Sequence, residues 1–371
     1  MPDGLFSRRP RPPTFAVDQF LPTLGFRDAV ANHTLETRHQ LSRVGIGGRI
    51  WTEQTHPAAS RFATSYEAYQ RSVAGRELAR ILLYQASTGS NGMVTFLLRR
   101  PEPKTIFYHN ITPADFFQPY DAAAANTLRQ GRAELRVMAR QLKVAIAASE
   151  YNARELRALG VDDVRVIFPW FAPRQDVRLN RPLLQRLQSS KRGIDLLFVG
   201  RVVPNKGHVH LLRTFAAIRA AVDPNARLFI AGHYGPQLYM RQLFAIRERL
   251  CPEGVVFTGP IDEPSLLAHY RAADQFLCLS EHEGFGLPLI EAMRLRVPVI
   301  AYAAGAIPET LAGSGVLVRT LNPLLLAELI GRVAHDASLR NAICEQQEER
   351  ALELEKAPRL EPLLAALRQA A

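Results

Sequence analysis

Short apolar runs alternate with stretches of helical spacing along almost the whole chain. In the first half, residues 14–20, 46–51, 80–84, 104–108, 144–149 and 164–168 read as strands. The second half repeats the scheme, with apolar runs near Leu196, Leu228, Val255, Gln275, Val299 and Gly315. Runs this short, bounded by Gly, Pro and polar residues, fit strands covered on both faces. Between them lie segments such as 27–44, where Ala29, Val30, Leu35, Leu41 and Val44 give roughly helical spacing. Strand and helix in alternation predict parallel sheets joined by crossover helices, the α/β class.

At 371 residues the chain has room for two domains. Residues 173–193 are polar and basic, contain Pro182 and show little strand character, so they read as a linker. That divides the chain into a first domain over 1–172 and a second over 194–355, with a terminal segment, 356–371, that reads as helical.

Composition narrows the classes. No run of about eighteen apolar residues is present, so no transmembrane helix is expected. The first fifteen residues lack an apolar core of signal-peptide length, and the expectation is a cytoplasmic chain. Cys251, Cys278 and Cys344 are widely spaced and form no Cys-x-x-Cys, which speaks against a metal or disulfide framework. A formal net charge of +11 suits acidic substrates, anionic membranes or nucleic acid. No zinc-finger spacing, aromatic RNP pattern or basic-region helix supports nucleic acid as a partner. Arg8, Arg9 and Arg11 form a short basic tail that can add to attraction toward anionic lipid at a membrane surface.

Two segments carry candidate chemistry. The first is EHEGFGLPLIEAM, residues 281–293, between the apolar run 274–279 and a predicted helix. Glu283 and Glu291 are separated by seven residues that include Gly284, Phe285, Gly286, Leu287 and Pro288. Glycine lets the backbone approach a ligand, and a proline near the first helical position presets helix entry. The helix N-terminus then offers free N–H groups to an anion, with carboxylates on either side for polyol hydroxyls. The second segment is LLFVGRVVPNKGH, residues 196–208: a strand, a loop with Arg201 and Lys206, then a helix from about Gly207. Only five of the 46 Lys and Arg residues are lysines, so a lysine here is not background composition. Basic side chains where a strand opens into a helix are placed to clamp a diphosphate.

The Glu-x7-Glu pattern with its internal Gly-Phe-Gly resembles the signature of retaining nucleotide-sugar glycosyltransferases of family 4. Segments 228–235, 255–280 and 302–310 follow in the family's order. Segments 17–41, 106–117 and 145–160 are similar to a bacterial subgroup that builds cell-surface polysaccharide and lipopolysaccharide. The resemblance implies the GT-B fold, two Rossmann-like domains facing a cleft, with the C-terminal helix crossing back to the first. It implies that Glu283 binds the donor sugar and Glu291 the ribose. It implies that Gly284, Phe285, Gly286 and Leu287 meet sugar and phosphate through their amides, and that Arg201 and Lys206 hold the leaving diphosphate. Gly259 would lie near the base and Gly305 near the donor. His109, at the end of a strand, would reach the sugar near its reacting centre. The family's glycine pair after the first strand is here a single Gly25, which weakens that phosphate contact.

The implied reaction is retaining, metal-independent and cofactor-free. It moves a sugar from a nucleotide-sugar donor, with GDP-mannose the donor the subgroup suggests, to a growing surface glycan or lipid-linked acceptor. Asn110, Asp115 and Asp28 are the acceptor-side candidates. Asp115 serves equally as an N-cap of the following helix, Asp28 and Asn32 can be caps of the first long helix, and Ser149 opens another. The rivals are a nucleotide-sugar epimerase or sugar phosphorylase of the same fold, and a catalytically silent glycan- or nucleotide-binding scaffold. Intact Glu283, Glu291, Arg201 and Lys206 argue against the scaffold.

Overall fold

The computed structural model describes residues 15–25, 28–74, 78–171 and 177–371. Arg8, Arg9, Arg11, Thr14 and Arg27 lie outside the described residues. Two parallel sheets organise the rest. The first contains β1 (Phe15–Leu24), β2 (Ile50–Thr55), β3 (Thr64–Ser65), β4 (Ala79–Ala86), β5 (Lys104–Tyr108), β6 (Ala145–Ala147) and β7 (Val164–Val166), in the order β3-β2-β1-β4-β5-β6-β7. The second contains β8 (Asp195–Val199), β9 (Arg227–Ala231), β10 (Val255–Gly259), β11 (Gln275–Cys278), β12 (Val299–Tyr302) and β13 (Val316–Val318), in the order β10-β9-β8-β11-β12-β13.

In each sheet the order reverses beside the first strand, between β1 and β4 and between β8 and β11. Open α/β sheets bind ligands outside the carboxyl ends of the strands at such a reversal. The fold thus singles out the loops after β8 and β11, which are the segments around Lys206 and Glu283.

The central strands are apolar on both faces, as their near-continuous hydrophobic runs require. Leu82, Tyr84, Ile106 and Tyr108 pack on one side of the first sheet, and Leu83, Phe107 and Ile146 on the other. The helix Leu360–Ala370 completes that second layer with Leu363, Ala366, Leu367 and Ala370. The chain's end therefore lies on the first sheet, not on the second that precedes it. The buried carboxylates Asp18 and Asp195 are each paired with an arginine, as their desolvation demands. Asp195, at the start of β8, takes two hydrogen bonds from Arg227, at 2.7 and 2.6 Å.

Several boundaries differ from the sequence expectation for local reasons. β1 runs on through Pro22 to Leu24, whereas the apolar pattern ends it at Phe20. β2 starts at Ile50 and not at Ile46, because Gly47 and Gly48 form a loop pressed against the Val17 backbone. The span 173–193 holds a helix, Arg181–Ser189, capped by Asn180. Pro182 enters its first turn, where a missing N–H is harmless. Its Leu187, with Leu183 and Leu184, packs on the second sheet's core.

Candidate active site

Lys206 and Glu283 meet at the reversal point of the second sheet. The Lys206 ammonium is 2.7 Å from Glu283 Oε1, and the side chains keep 22% and 14% exposure, so both remain reachable. Local geometry holds each loop. After β8 the chain makes a short 3-10 turn, Pro204–Lys206, and enters the helix His208–Ala221 through Gly207. Gly207 has φ +68°, and a Cβ there would sit 1.9 Å from the Leu279 carbonyl oxygen. Only glycine permits the two loops to close on each other. Asn205 ties them further. Its Nδ2 donates to the His282 carbonyl at 3.1 Å, and its own carbonyl accepts from the Glu281 amide at 2.9 Å.

The Glu283 loop is fixed from a second side by Gly305. A Cβ on Gly305 would lie 2.4 Å from the Glu283 carbonyl oxygen, which also accepts the Ala306 amide at 2.9 Å. Phe285 is buried and stacks on Phe168 at 5.5 Å. Gly286, at φ +91°, turns the chain into the helix Leu287–Arg294, with Pro288 in its first turn. Glu291, one turn in, accepts from the Tyr270 hydroxyl at 2.9 Å. Arg201 is exposed, and its guanidinium has no ion pair among the described residues. Gly259, at φ +66°, lies beside the Tyr234 ring, 3.8 Å from a built Cβ.

The first sheet supplies the opposite wall. His109 follows β5, and its Nε2 is 2.8 Å from Gln85 Oε1. Gln85 in turn donates to Gln19 Oε1 at 2.8 Å, and Gln19 to the Thr34 carbonyl at 3.0 Å. This chain of amides assigns the proton to Nε2 and leaves Nδ1 as an acceptor. His109 keeps some solvent exposure, yet the surrounding protein pushes its imidazole pKa down to about 3 by burial. It is a neutral base at physiological pH.

Asn110 adopts φ +87°, and both ends of its amide are engaged. Its Oδ1 is 2.6 Å from His282 Nε2, and its Nδ2 donates to Asn152 Oδ1 at 2.8 Å. Asp28 caps the helix Ala29–Arg43 by accepting from the Ala31 amide at 3.0 Å. Gly25 lies just before it, its built Cβ 3.1 Å from the Asp28 Cβ. Asp115 is exposed in the turn Ala114–Phe116 and does not cap the next helix. That cap is Asp121, which accepts from the Ala124 amide at 2.9 Å. Ser149 caps Glu150–Ala158 but also donates to the Gly284 carbonyl at 2.9 Å.

Lys206, Glu283, Gly284, Gly305, His109 and Asn110 thus form one connected cluster. Among the described residues, no hydrogen bond or ion pair links Gly25, Asp28, Asp115 or Gly259 to it. Sequence spacing does not single out Asn205, Asn152, His282 or Glu309, although all four fix this cluster. Beside it opens a recess of about 390 Å³ lined by Arg132, Tyr151, Arg154 and Glu155. The Tyr151 ring is 5.9 Å from His282.

Residues 182–350 match the family described as glycosyl transferases group 1, a stretch that holds Lys206 and both glutamates. The matched stretch contains the whole of the second sheet, β8 to β13. The chain is 36% identical over 160 residues to a D-inositol 3-phosphate glycosyltransferase of Segniliparus rotundus, covering 41% of this chain and 35% of that protein. It is 30% identical over 137 residues to the O-antigen chain mannosyltransferase B of Escherichia coli, covering 37% and 35%. The chain spans about a third of the length of these curated relatives. The fold is also that of Anabaena HepE, solved in complex with UDP and glucose. The TM-score is 0.67 at 19% identity, over 91% of this chain and 94% of that one. Two Rossmann-like units facing a cleft are the GT-B architecture.

Proposed function

We propose that this chain is a retaining glycosyltransferase that moves a sugar from a nucleotide-sugar donor to a hydroxyl of a surface glycan or lipid-linked acceptor. The observation that carries the reading is the Lys206–Glu283 pair, 2.7 Å apart at the sheet's reversal point, beside the N-terminus of Leu287–Arg294. An ammonium in such a pair can exchange its partner for a diphosphate oxygen, and the freed carboxylate can take sugar hydroxyls. Arg201 adds a second cation to the leaving group. Glu291 binds ribose, and the His109 Nδ1 accepts from a sugar hydroxyl.

In the step itself the bond from the anomeric carbon to the diphosphate oxygen breaks. A bond to the acceptor oxygen forms on the same face, and the acceptor's proton passes to the departing phosphate. Lys206, Arg201 and the helix amides stabilise charge that grows on the diphosphate, the largest contribution a protein makes to such a step. The second unit takes the donor and the first the acceptor. In the recess Arg132 is paired with Glu155, which leaves Arg154 to favour an acceptor bearing an anionic group, in keeping with the inositol phosphate named for the Segniliparus protein. Mannose is the sugar supported by the E. coli mannosyltransferase, with GDP-mannose as the proposed donor, and UDP-glucose, bound by HepE, is its first competitor. The net charge of +11 supports work at the cytoplasmic face of an anionic membrane, held peripherally.

The test is transfer from a panel of GDP- and UDP-hexoses to lipid-linked glycan acceptors, with NMR of the isolated product. An α-linked product is expected from an α-linked donor. Activity is expected to persist in EDTA, because cationic side chains neutralise the leaving group. An inverted anomer, or activity lost to EDTA and restored by magnesium or manganese, overturns the mechanism.

A further inference from the structure

Gly284 follows the donor glutamate, and its carbonyl is held entirely from across the cleft. It accepts from Ser149 Oγ at 2.9 Å and from Asn152 Nδ2 at 3.2 Å. Asn152 is fully buried. Its amide nitrogen also donates to the Tyr108 carbonyl at 3.3 Å, and its Oδ1 accepts from Asn110 Nδ2 at 2.8 Å. Asn110 Oδ1 in turn accepts from His282 Nε2 at 2.6 Å. One asparagine of the first unit therefore ties down residues on both sides of Glu283, and also the backbone of the residue before His109.

Other contacts make this crossing tight. A Cβ on Gly284 would lie 2.4 Å from the His109 carbonyl oxygen and 2.8 Å from the Asn110 Cβ. Beside it, the Glu309 carboxylate crosses from the second unit to accept the Glu150 and Tyr151 amides at 2.7 and 3.1 Å. Those free N–H groups open the helix that carries Asn152. The helix of Asn152 thus holds the Glu283 loop and is itself capped by Glu309, from the helix Ile307–Leu311.

We propose that Asn152 is a positioning residue: through the Gly284 carbonyl and the Asn110–His282 pair, it sets the Glu283 carboxylate against His109 across the cleft. Its side chain offers two donors and one acceptor, and all are engaged, so no other residue of its size replaces it. Aspartate keeps the shape and the acceptor but turns an oxygen toward the carbonyls of Tyr108 and Gly284. Alanine removes every tie. Neither change touches Arg201 or Lys206, so affinity for a nucleoside diphosphate is retained.

Two measurements test this, and only the kinetic one rests on the proposed transfer reaction. Hydrogen exchange of the folded full chain is followed by mass spectrometry in wild type, Asn152→Ala and Asn152→Asp. Faster exchange over residues 281–286, with the distal strands unchanged, is expected. Unchanged exchange there in either folded variant overturns the assignment, whatever reaction the protein catalyses. In the kinetic measurement, both variants lower kcat by about 10- to 100-fold, the scale of a displacement of about 1 Å. Binding of the nucleoside diphosphate changes less than about threefold. In a Glu283→Gln background the same substitutions add little further loss, because they act through Glu283. Additive losses overturn the proposal, as does an equal weakening of nucleoside diphosphate binding. If wild type binds no nucleotide at all, the transfer reading fails while the exchange result still decides the role of Asn152.

Discussion

Lys206→Ala lowers kcat/KM for the donor by about 100- to 1,000-fold, the loss that follows when one stabiliser of a leaving oxyanion is removed. The lysine stands where the loop after β8 meets the loop after β11, at the carboxyl ends of the strands. Asn205 and Gly207 fix the loop that carries it, and Glu283 holds its ammonium. Part of the loss comes from a second source. Without Lys206 the Glu283 carboxylate, 14% exposed, is left without its counter-charge. Arg201→Ala separates the two effects. Arg201 is exposed and its guanidinium has no ion pair among the described residues, so its removal orphans no group. It is expected to cost about 10- to 100-fold in turnover while stability stays within about 0.5 kcal/mol of wild type. Steady-state kinetics with the identified donor, together with thermal unfolding, check both. Wild-type turnover in both variants removes the diphosphate clamp from the account.

The two glutamates are expected to fail differently. Glu291→Ala mainly raises the donor KM, because a ribose is held alike in ground and transition states. Its carboxylate also accepts from the Tyr270 hydroxyl at 2.9 Å, so Glu291→Gln, which keeps an acceptor there, is the milder variant. Glu283→Ala lowers kcat as well, by about 100-fold, since its partner is the sugar undergoing reaction and charge grows there only in the transition state. It also leaves Lys206 without its partner, so part of the response is a change in how the ammonium is oriented. Unchanged kcat in Glu283→Ala overturns this division of labour.

The two loops of the candidate site were legible in the chain because their signals are local. An apolar run of about five residues, a glycine, a charged residue and a helix start lie within one short segment at both 196–208 and 275–293. The parallel sheets need only such runs and the rule that parallel strands cross over through helices, whereas the order of strands within each sheet is set by long-range packing that the runs do not encode. The ties between the two units were not legible. Asn152 and Gly284 are 132 residues apart, Asn110 and His282 172, and Glu150 and Glu309 159. Nothing in the neighbourhood of Asn152 distinguishes it from any polar residue in the first turn of a helix. Ser149 shows the same ambiguity from the other side, since the hydroxyl that caps its helix also donates across the cleft. Asp115 and Asp121 both precede the Ala-rich helix, and only backbone geometry selects Asp121 as its cap.

The central claim is that Lys206 and Glu283 form a nucleotide-sugar site, and thermal unfolding with a ligand panel tests it most directly. Wild type and Lys206→Ala are unfolded with UDP, GDP, UDP-hexoses and GDP-hexoses over a range of concentrations. A ligand that binds only the folded chain stabilises it by about 2.7 kcal/mol at one hundred times its Kd. The account predicts a saturable rise in Tm with one nucleoside diphosphate and its sugar in wild type, and a rise at least tenfold weaker in apparent affinity in Lys206→Ala. No shift with any member of the panel, or the same shift in both proteins, contradicts it.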